Sequence, residues 1–110
     1  MNRWMTLLIG CLGLSAIGAL HAEEPTAHLT IRNHRFEPAE VFVPVGQKIK
    51  LVVENDDSTP EEFESYDLNR EKVVPGKTTI TVFVGPLQAG RYRFFGDFNR
   101  DTAQGVLVAK

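Results

Sequence analysis

The sequence predicts an all-β fold, arranged as a β-sandwich or a small barrel in one small domain. Apolar and polar residues alternate with a period of two in several short segments of the 110-residue chain. Turn-forming residues separate these segments at short intervals, and no window carries a helical stripe or an internal repeat. Several short strands with regular turns in a chain of this length are typical of sandwiches and barrels.

Five segments carry the alternation: AHLTIRN, KIKLVVEN, TTITVFV, RYRFF and GVLVA. The turns between them are expected at positions 44–46, 57–60, 75–76, 85–86 and 88–90. Every second residue of a strand faces the same side. The residues expected to share buried faces in the first three segments are Leu29 and Ile31; Ile49, Leu51 and Val53; and Ile80, Val82 and Val84.

The first 22 residues have the layout of a secretory signal. Arg3 gives a basic start, an apolar run extends from Trp4 to Leu20, and a cut is expected after Ala22. Two alternatives are an uncleaved membrane anchor, for which the run is short, and a lipoprotein signal at LIGC. The latter would lipidate Cys11, although the apolar run continues past it. The main interpretation is a cleaved signal at 1–22 and a folded domain at 23–110.

Cleavage would remove every sulfur atom from the chain. The single cysteine, Cys11, and both methionines, Met1 and Met5, lie in the signal segment. The exported chain would then have no disulfide and no thiolate ligand. A type 1 copper centre needs a cysteine thiolate, so this interpretation excludes that centre and leaves packing to stabilise a small core.

The charge balance argues against nucleic acid and draws attention to one acidic stretch. Twelve basic residues face 14 acidic ones, and there is no basic stripe of the kind that nucleic acid needs. Positions 54–71 hold eight acidic residues in eighteen, with Arg70 as the one base. The ordinary explanation of such a run is a solvated loop and an exposed strand face. A cation site is the sharper alternative.

The order of these landmarks resembles a cupredoxin-fold domain over nearly the whole exported chain. The matching stretches are FEPAEVFVPVGQKIKLVVEN (36–55), a turn ending at Pro60, PGK (75–77), AGRYRFF (89–95) and GVLV (105–108). The resemblance implies a Greek-key β-sandwich of the cupredoxin type.

Within that fold, the chain is most similar to the periplasmic cupredoxin-like proteins of bacterial iron-uptake systems that work beside an Ftr-type permease. The cupredoxin-like domain of EfeO-type proteins is a more distant relative. The stretches that carry this resemblance are HRFEP (34–38), EEFES (61–65), REK (70–72), FFGDF (94–98) and TAQG (102–105). It implies a periplasmic protein that binds iron as Fe(II) or Fe(III), or copper as Cu(II). Some members oxidise ferrous iron before a membrane permease transports it.

The resemblance also indicates where a metal would bind. In a cupredoxin the metal pole is formed by the start of the strand after the Asn55 turn, the loop at 96–102 and the segment before the second strand. In a blue-copper site that loop supplies a cysteine and a histidine, and here it supplies Gly96 and Asn99. The candidate metal ligands are His34, Glu62, Glu64, Glu71, Asp97 and Asn99.

The candidates form a set of hard ligands. The period of two puts Glu62 and Glu64 on one strand face and Phe63 on the other, towards the core. Two carboxylates on one face repel each other unless a cation or a proton intervenes. Carboxylates with one imidazole suit iron and Mn(II), and Cu(II) also binds well by the Irving–Williams order. Relatives in the subgroup usually carry histidine where this chain has Asn99, so a weaker site is expected.

Each candidate also has an ordinary structural explanation. Glu62 and Glu64 would form the solvent face of an edge strand. Glu71 would pair with the adjacent Arg70 or Lys72, a surface contact worth little. Asp97 would cap a tight turn, and His34 would pack beside Phe36. His28 is expected on a solvent face and not at the site. The aromatic residues expected in the core rather than on an electron path are Tyr92, Phe94, Phe95 and Phe98.

Three functions follow from this site. The first is a ferroxidase-type protein, in which hard carboxylate oxygens favour Fe(III) and so ease oxidation, with delivery to the permease. The second is a non-enzymatic module that captures the metal and docks a partner, which the lack of histidine at Asn99 favours. The third is a degenerate domain that only binds other proteins. Metal titration separates the third from the others, and an iron-oxidation assay separates the first two.

Overall fold

The structure is a computed structural model and describes residues 24–110. The expected signal segment at 1–22 lies outside the described residues. Residues 24–110 form strands and no helix, so no membrane-spanning helix occurs in this part of the chain. The strands are β1 (Thr26–Arg32), β2 (Arg35–Glu37), β3 (Glu40–Val43), β4 (Ile49–Asn55), β5 (Glu61–Ser65), β6 (Arg70–Val74), β7 (Thr78–Val84), β8 (Gly90–Gly96) and β9 (Gln104–Ala109).

The strands form two mixed sheets, which confirms the all-β sandwich. The first sheet has the order β2-β1-β4-β7 and the second has the order β3-β9-β8-β5-β6. The pairs β1–β4 and β3–β9 are parallel, and the other pairs are antiparallel. Both parallel pairs join strands that are not consecutive in the sequence, so the chain crosses between the sheets. Strand β5 lies inside its sheet, between β6 and β8, and β6 is the edge.

The inner faces of the two sheets enclose one hydrophobic core. The alternation predicted the buried residues of β1 and β4 correctly: Leu29, Ile31, Ile49, Leu51 and Val53 are all buried. In β7, Val82 and Val84 are buried and Ile80 is partly buried. Strands β2 and β3 are three and four residues long, too short for an alternation to stand out in the sequence.

Three aromatic rings join the sheets at the centre of the core. Phe36 comes from β2, and Phe63 and Phe94 come from β5 and β8 of the other sheet. Phe36 meets Phe94 edge to face at a ring-centroid distance of 5.0 Å, and Phe63 stacks on Phe94 at 5.3 Å. Such aromatic pairs add about 0.5–1.5 kcal/mol each beyond the burial of their area. The core position expected for Phe94 is thus confirmed, whereas Phe98 is 50% exposed and does not belong to the core.

Two buried polar side chains fix the ends of β5. At its start, the Asn55 amide donates to the carbonyls of Thr59 and Val74, and its oxygen accepts from the Asp57 amide. At its end, the Ser65 hydroxyl donates to the Arg93 carbonyl at 2.6 Å. Buried polar groups need such partners. The result is that β5, which carries the acidic EEFES stretch, is anchored to both of its neighbours.

Candidate metal centre

Three carboxylates converge on the outer face of the five-stranded sheet, the face turned away from the core. Glu62, Glu64 and Asp97 are all half-buried, and one oxygen of each lies within 4.8 Å of the others. Glu62 and Glu64 alternate with the buried Phe63 along β5, as the period of two predicted. Asp97 follows β8 and is held beside β5 because its backbone N–H donates to the Glu62 carbonyl at 2.9 Å.

A fourth carboxylate adjoins this cluster from the edge strand. Glu71 lies directly opposite Glu64 in the β5–β6 pairing, so both side chains stand on the same face. The alternative that Glu71 pairs with its neighbours is not observed. Arg70 donates through Nε to the Phe83 carbonyl, and Lys72 donates through Nζ to the Thr81 carbonyl, both on β7. The cations of the REK stretch therefore bridge the two sheets and leave Glu71 beside Glu64.

The crowded carboxylates hold protons more tightly than isolated ones do. A side-chain hydrogen bond with Glu71 raises the pKa of Glu64 to about 7, with partial burial and the charges of Glu71, Asp97 and Glu62 adding to the effect. Partial burial, followed by the charge of Glu71, also raises the pKa of Glu62. A proton shared between neighbouring carboxylates relieves a repulsion that a bound cation would relieve better.

Beneath the cluster, the buried carboxylate of Glu61 organises the loop at 96–103. Glu61 is only 1% exposed. Its Oε1 accepts from the backbone N–H groups of Glu62 and Phe98, at 2.9 and 2.7 Å, and its Oε2 accepts from the Asn99 side-chain amide at 2.7 Å. Because hydrogen bonds to a charged acceptor are the stronger ones, Glu61 fixes the loop that carries Asp97.

Gly96 makes this arrangement sterically feasible. A Cβ atom at position 96 would lie 2.5 Å from the Glu61 carboxyl carbon and 2.7 Å from the Ala103 Cβ. Atoms of real side chains essentially never come this close, so no side chain fits there without displacement. The space beside Gly96 is therefore filled by the Glu61 carboxylate and the Ala103 side chain.

His34 lies apart from the acidic cluster, whereas Asn99 contacts Glu61 beneath it. The Asn99 side-chain Nδ2 donates to the Glu61 carboxylate. His34 belongs to the β1–β2 turn, where the Asp57 carboxylate accepts from the backbone N–H groups of Asn33 and His34. The His34 imidazole faces Asp57, with Nδ1 3.7 Å from Oδ2. The structure thus brings together Glu62, Glu64 and Asp97, with Glu71 adjoining, and gives Asn99 and His34 other contacts.

His34 still touches the metal-site loop through its backbone. The Thr102 hydroxyl donates to the His34 carbonyl at 2.5 Å, which ties the β1–β2 turn to the end of the loop. The backbone N–H groups of this turn also surround the Asp57 carboxylate. Burial opposes ionisation of Asp57, but the two backbone N–H groups, together with the charges of His34 and Lys77, outweigh it and lower the pKa of this carboxyl.

Aromatic and cationic side chains surround the open side of the cluster. Phe98 is 50% exposed and Tyr66 is 70% exposed. The Tyr66 ring meets Phe95 edge to face at a centroid distance of 5.3 Å. Arg100 lies over the Phe95 ring at 4.6 Å and donates through Nε to Asp97 at 2.7 Å. The cluster is therefore accessible from solvent and has one cation at its margin.

The sequence carried a signal for Glu61 but none for Arg100. Glu61 shares the strand face of Phe63, so a period of two places a carboxylate on the core side. A carboxylate in that position needs buried donors, and this requirement indicates a structural role. Arg100 sits in a loop without periodicity, so its contacts with Asp97 and Phe95 depend on the tertiary structure.

The chain has one well-matched curated relative and many structural neighbours. An uncharacterized protein of Rickettsia prowazekii (strain Madrid E) is 49% identical over 80 residues, which make up 73% of this chain and 64% of the relative. The chain thus spans less than two thirds of that protein's length.

Several solved structures of copper proteins and cupredoxins share the fold at low identity. Auracyanin A, a "blue" copper protein of Chloroflexus aurantiacus, has a TM-score of 0.68 and 15% identity, over 80% of this chain and 100% of auracyanin. A purple cupredoxin of Nitrosopumilus maritimus has a TM-score of 0.61 and 18% identity, over 76% and 99% of the two chains. The metal-binding domain of the Cu(I)-exporting ATPase CopA of Streptococcus pneumoniae has a TM-score of 0.64 and 11% identity, over 80% and 96%.

At these identities the neighbours establish the fold alone. The family assignment comes from the sequence, because the family model of the cupredoxin-like domain matches residues 4–109. This match covers nearly the whole chain, and the sheet order and core described above agree with it. The chain belongs to the cupredoxin-like domain family.

Proposed function

We propose that this protein binds iron at the carboxylate cluster and serves iron uptake in the periplasm. The observation that carries the proposal is the convergence of Glu62, Glu64 and Asp97 within 4.8 Å on an accessible face. The adjoining Glu71 and the raised pKa of Glu64 support it, since they mark a place where carboxylates are concentrated. The cupredoxin fold is one that metal-binding proteins use, as the copper proteins among its neighbours show.

The chemistry of the donors favours a hard ion. Carboxylate oxygens prefer Fe(III), Fe(II) and Mn(II), while soft thiolate and thioether ligands select Cu(I). Residues 24–110 contain neither cysteine nor methionine. Cu(II) would also bind this cluster, since it stands near the top of the Irving–Williams order for oxygen donors. Copper is accordingly the alternative ion, held by the same carboxylates and not by a thiolate.

The role in iron uptake follows from the resemblance to periplasmic cupredoxin-like proteins that work beside an Ftr-type permease. A carboxylate site stabilises Fe(III) relative to Fe(II) and so favours the loss of one electron. That electron passes to dioxygen or to a partner redox protein, and the ferric ion passes to the membrane permease. Export by a cleaved signal at 1–22 would put the protein in the compartment where this hand-over takes place.

A second function, capture without oxidation, is favoured by the position of Asn99. An asparagine stands where relatives usually carry histidine, and the cluster of Glu62, Glu64 and Asp97 includes no imidazole among the described residues. In this case the protein binds the ion, carries it to a partner and releases it in the same oxidation state. An assay of ferrous-iron oxidation with a supplied acceptor separates this function from the first.

The test is an anaerobic titration of the purified protein with Fe(II), and separately with Mn(II) and Cu(II), followed by calorimetry. Glu62→Gln/Glu64→Gln removes two carboxylates from the cluster. Glu54→Gln is the matched control, because Glu54 is an exposed carboxylate on β4 of the other sheet. We expect saturable binding to the natural protein and to the control, and its loss in the double variant. Equal binding to all three proteins, or no saturable binding at all, would contradict the proposal.

A further inference from the structure

A row of arginines runs along the outer face of β8, directly beside the carboxylate cluster. Phe94 points into the core, so Arg91, Arg93 and Phe95 face outwards on the same strand. Phe95 stands opposite Glu64 in the β5–β8 pairing. The acidic and basic halves of this outer face therefore meet at Phe95. The basic half lies outside the proposed metal site.

A cleft of about 250 Å³ opens in the basic half. It is lined by Arg93, Phe94, Phe95, Arg100, Gln104 and Gly105. Arg91 is paired with Glu40 at 3.2 Å. Arg93, in contrast, uses its backbone N–H and carbonyl for hydrogen bonds, and its guanidinium makes no hydrogen bond or ion pair with the part of the chain that the structure describes. One wall of the cleft is thus formed by the exposed guanidinium of Arg93, which is not paired with an acidic side chain among the described residues.

Arg100 connects this cleft to the carboxylate cluster. Its guanidinium lies over the Phe95 ring and is paired with Asp97, one of the proposed metal ligands. The Gln104 amide donates to the Arg100 carbonyl at 2.8 Å, which holds the backbone of the loop against β9. When a cation binds Asp97, it neutralises the negative charge of this carboxylate. Asp97 then no longer neutralises the positive charge of Arg100. Arg100 and Arg93 then both face the cleft as unneutralised donors.

We propose that the Arg93–Arg100 cleft binds a small carboxylate anion, and that it does so together with the metal. Guanidinium groups present a planar fork that matches a carboxylate, and charge-assisted pairs of this kind are strong. Without the metal, Glu64, Asp67 and Asp97 repel an incoming anion. With the metal bound, this repulsion is reduced, and each ligand strengthens the binding of the other. The coupling rests on the proposed metal function, whereas the anion cleft itself rests on the arginines.

An ion at the carboxylate cluster would still need oxygen ligands from outside the protein. Hard ions such as Fe(III) and Mn(II) take about six oxygen ligands, and the cluster supplies three half-buried carboxylates with Glu71 beside them. The remaining positions need further oxygen donors. A carboxylate compound held by Arg93 and Arg100 would arrive next to the ion and accompany it. The substrate class is then iron together with a small carboxylic acid, and not the bare ion.

The experiment is a titration of the purified protein with malonate, observed by NMR at the Nε–H groups of Arg93 and Arg100. It is run without metal and with saturating Zn²⁺, which serves as a diamagnetic probe of the cluster. We expect saturable shifts at both guanidiniums and a malonate dissociation constant at least about fivefold lower with Zn²⁺. Arg93→Gln should weaken malonate binding roughly tenfold. Arg35→Gln, which changes an exposed arginine of β2 in the other sheet, should leave it unchanged.

The outcomes separate this proposal from the proposed function. Malonate binding without Zn²⁺ binding would retain the cleft and overturn the metal function. Zn²⁺ binding that is lost in Glu62→Gln/Glu64→Gln, with no malonate shifts at Arg93 or Arg100, would retain the metal function and overturn the cleft. If Arg93→Gln and Arg35→Gln weakened malonate binding equally, the proposed Arg93–Arg100 cleft would be overturned as well. Inorganic phosphate that binds more tightly than malonate would overturn the carboxylate class.

Discussion

At the scale of single residues, neighbouring carboxylates of this chain have opposite roles. Glu61 and Glu62 are adjacent in β5, yet one points into the interior and the other outwards. Glu61 accepts three hydrogen bonds and fixes the loop, so it is a positioning residue. Glu62 and Glu64 stand on the accessible face and are the proposed ligands. The same residue type thus supports the fold at one position and the proposed chemistry at the next.

Replacing Glu61 should destabilise the protein strongly. Glu61→Ala would leave the Phe98 N–H and the Asn99 amide without their acceptor in a partly buried place, at a cost of about 2–4 kcal/mol in the free energy of unfolding. Urea unfolding measures this cost. The control Glu54→Ala, on an exposed face, should change the free energy by less than about 0.5 kcal/mol. A loss below about 1 kcal/mol for Glu61→Ala would mean that the loop does not depend on this carboxylate.

The raised pKa of Glu64 gives a prediction about the pH dependence of stability. The folded protein raises the pKa of Glu64 to about 7, above the usual value for an unfolded chain. The folded state therefore binds more protons between these two pKa values, and the stability of the metal-free protein should fall as the pH rises from about 5 to 8. Thermal unfolding in the presence of a chelator measures the slope. Glu64→Gln should flatten it, and an unchanged slope in that variant would contradict the prediction.

At the scale of elements, the REK stretch shows how an edge strand can serve two purposes. Strand β6 is the last strand of its sheet, and β7 is the last strand of the other. Arg70 and Lys72 donate to carbonyls of β7 and so close the open side of the sandwich, whereas Glu71 faces the cluster. Unpaired strand edges invite association with other chains. These two side chains cover the edge while leaving the acidic face free.

Removal of this bridge should loosen β6. Arg70→Ala/Lys72→Ala would lose side-chain hydrogen bonds worth about 1–2 kcal/mol together, because the contacts are largely exposed. Backbone amides of β6 should then exchange with deuterium faster than those of β4, which lies inside its sheet. Arg35→Ala on β2 is the control and should leave exchange in β6 unchanged. Unaltered β6 protection in the double variant would show that strand pairing alone holds this edge.

The loop at 96–103 depends on the absence of a side chain at Gly96. Gly96→Ala would place a methyl group against Glu61 and Ala103, and overpacking of this kind costs about 1–3 kcal/mol. Urea unfolding again provides the measurement. Gly90→Ala is a suitable comparison, because a Cβ there would make only ordinary contacts with Tyr92, the closest at 3.6 Å. Equal effects of the two substitutions would contradict the close packing described for the loop.

At the scale of the whole molecule, the proposed ligands come from two strands and a loop that meet only in the folded state. An ion that binds this arrangement and not the unfolded chain should stabilise the fold by about 2.7 kcal/mol at a concentration 100 times its dissociation constant. For a domain of this size, that should raise the melting temperature by roughly 10 °C or more.

Thermal unfolding with Mn(II) tests this linkage without redox chemistry. Glu62→Gln/Glu64→Gln should abolish the rise in melting temperature, and Glu54→Gln should preserve it. Because protons compete with the metal for Glu64, the rise should also be larger at pH 8 than at pH 5.5. A rise that survives in the double variant would place the ion elsewhere on the protein.

Strand periodicity predicts the fold class and two carboxylates of the cluster. The period of two fixed the buried faces of β1 and β4, because residues with one strand face in the core must alternate. The same period put Glu62 and Glu64 on one outer face. Strands β2 and β3 were too short to produce such a pattern, and the exposure of Phe98 ran against the preference of aromatic residues for the core.

Which loop residues join that face depends on how the folded chain packs. The local sequence does not specify contacts between residues far apart in the chain, such as those of Asp97 with β5 or Arg100 with Phe95. Asn99 and His34 were candidates by their place in the chain, and hydrogen bonds to Glu61 and Asp57 gave them other partners. Strand periodicity is a local property and can be read from the sequence, whereas the packing of a loop against a sheet depends on the whole fold.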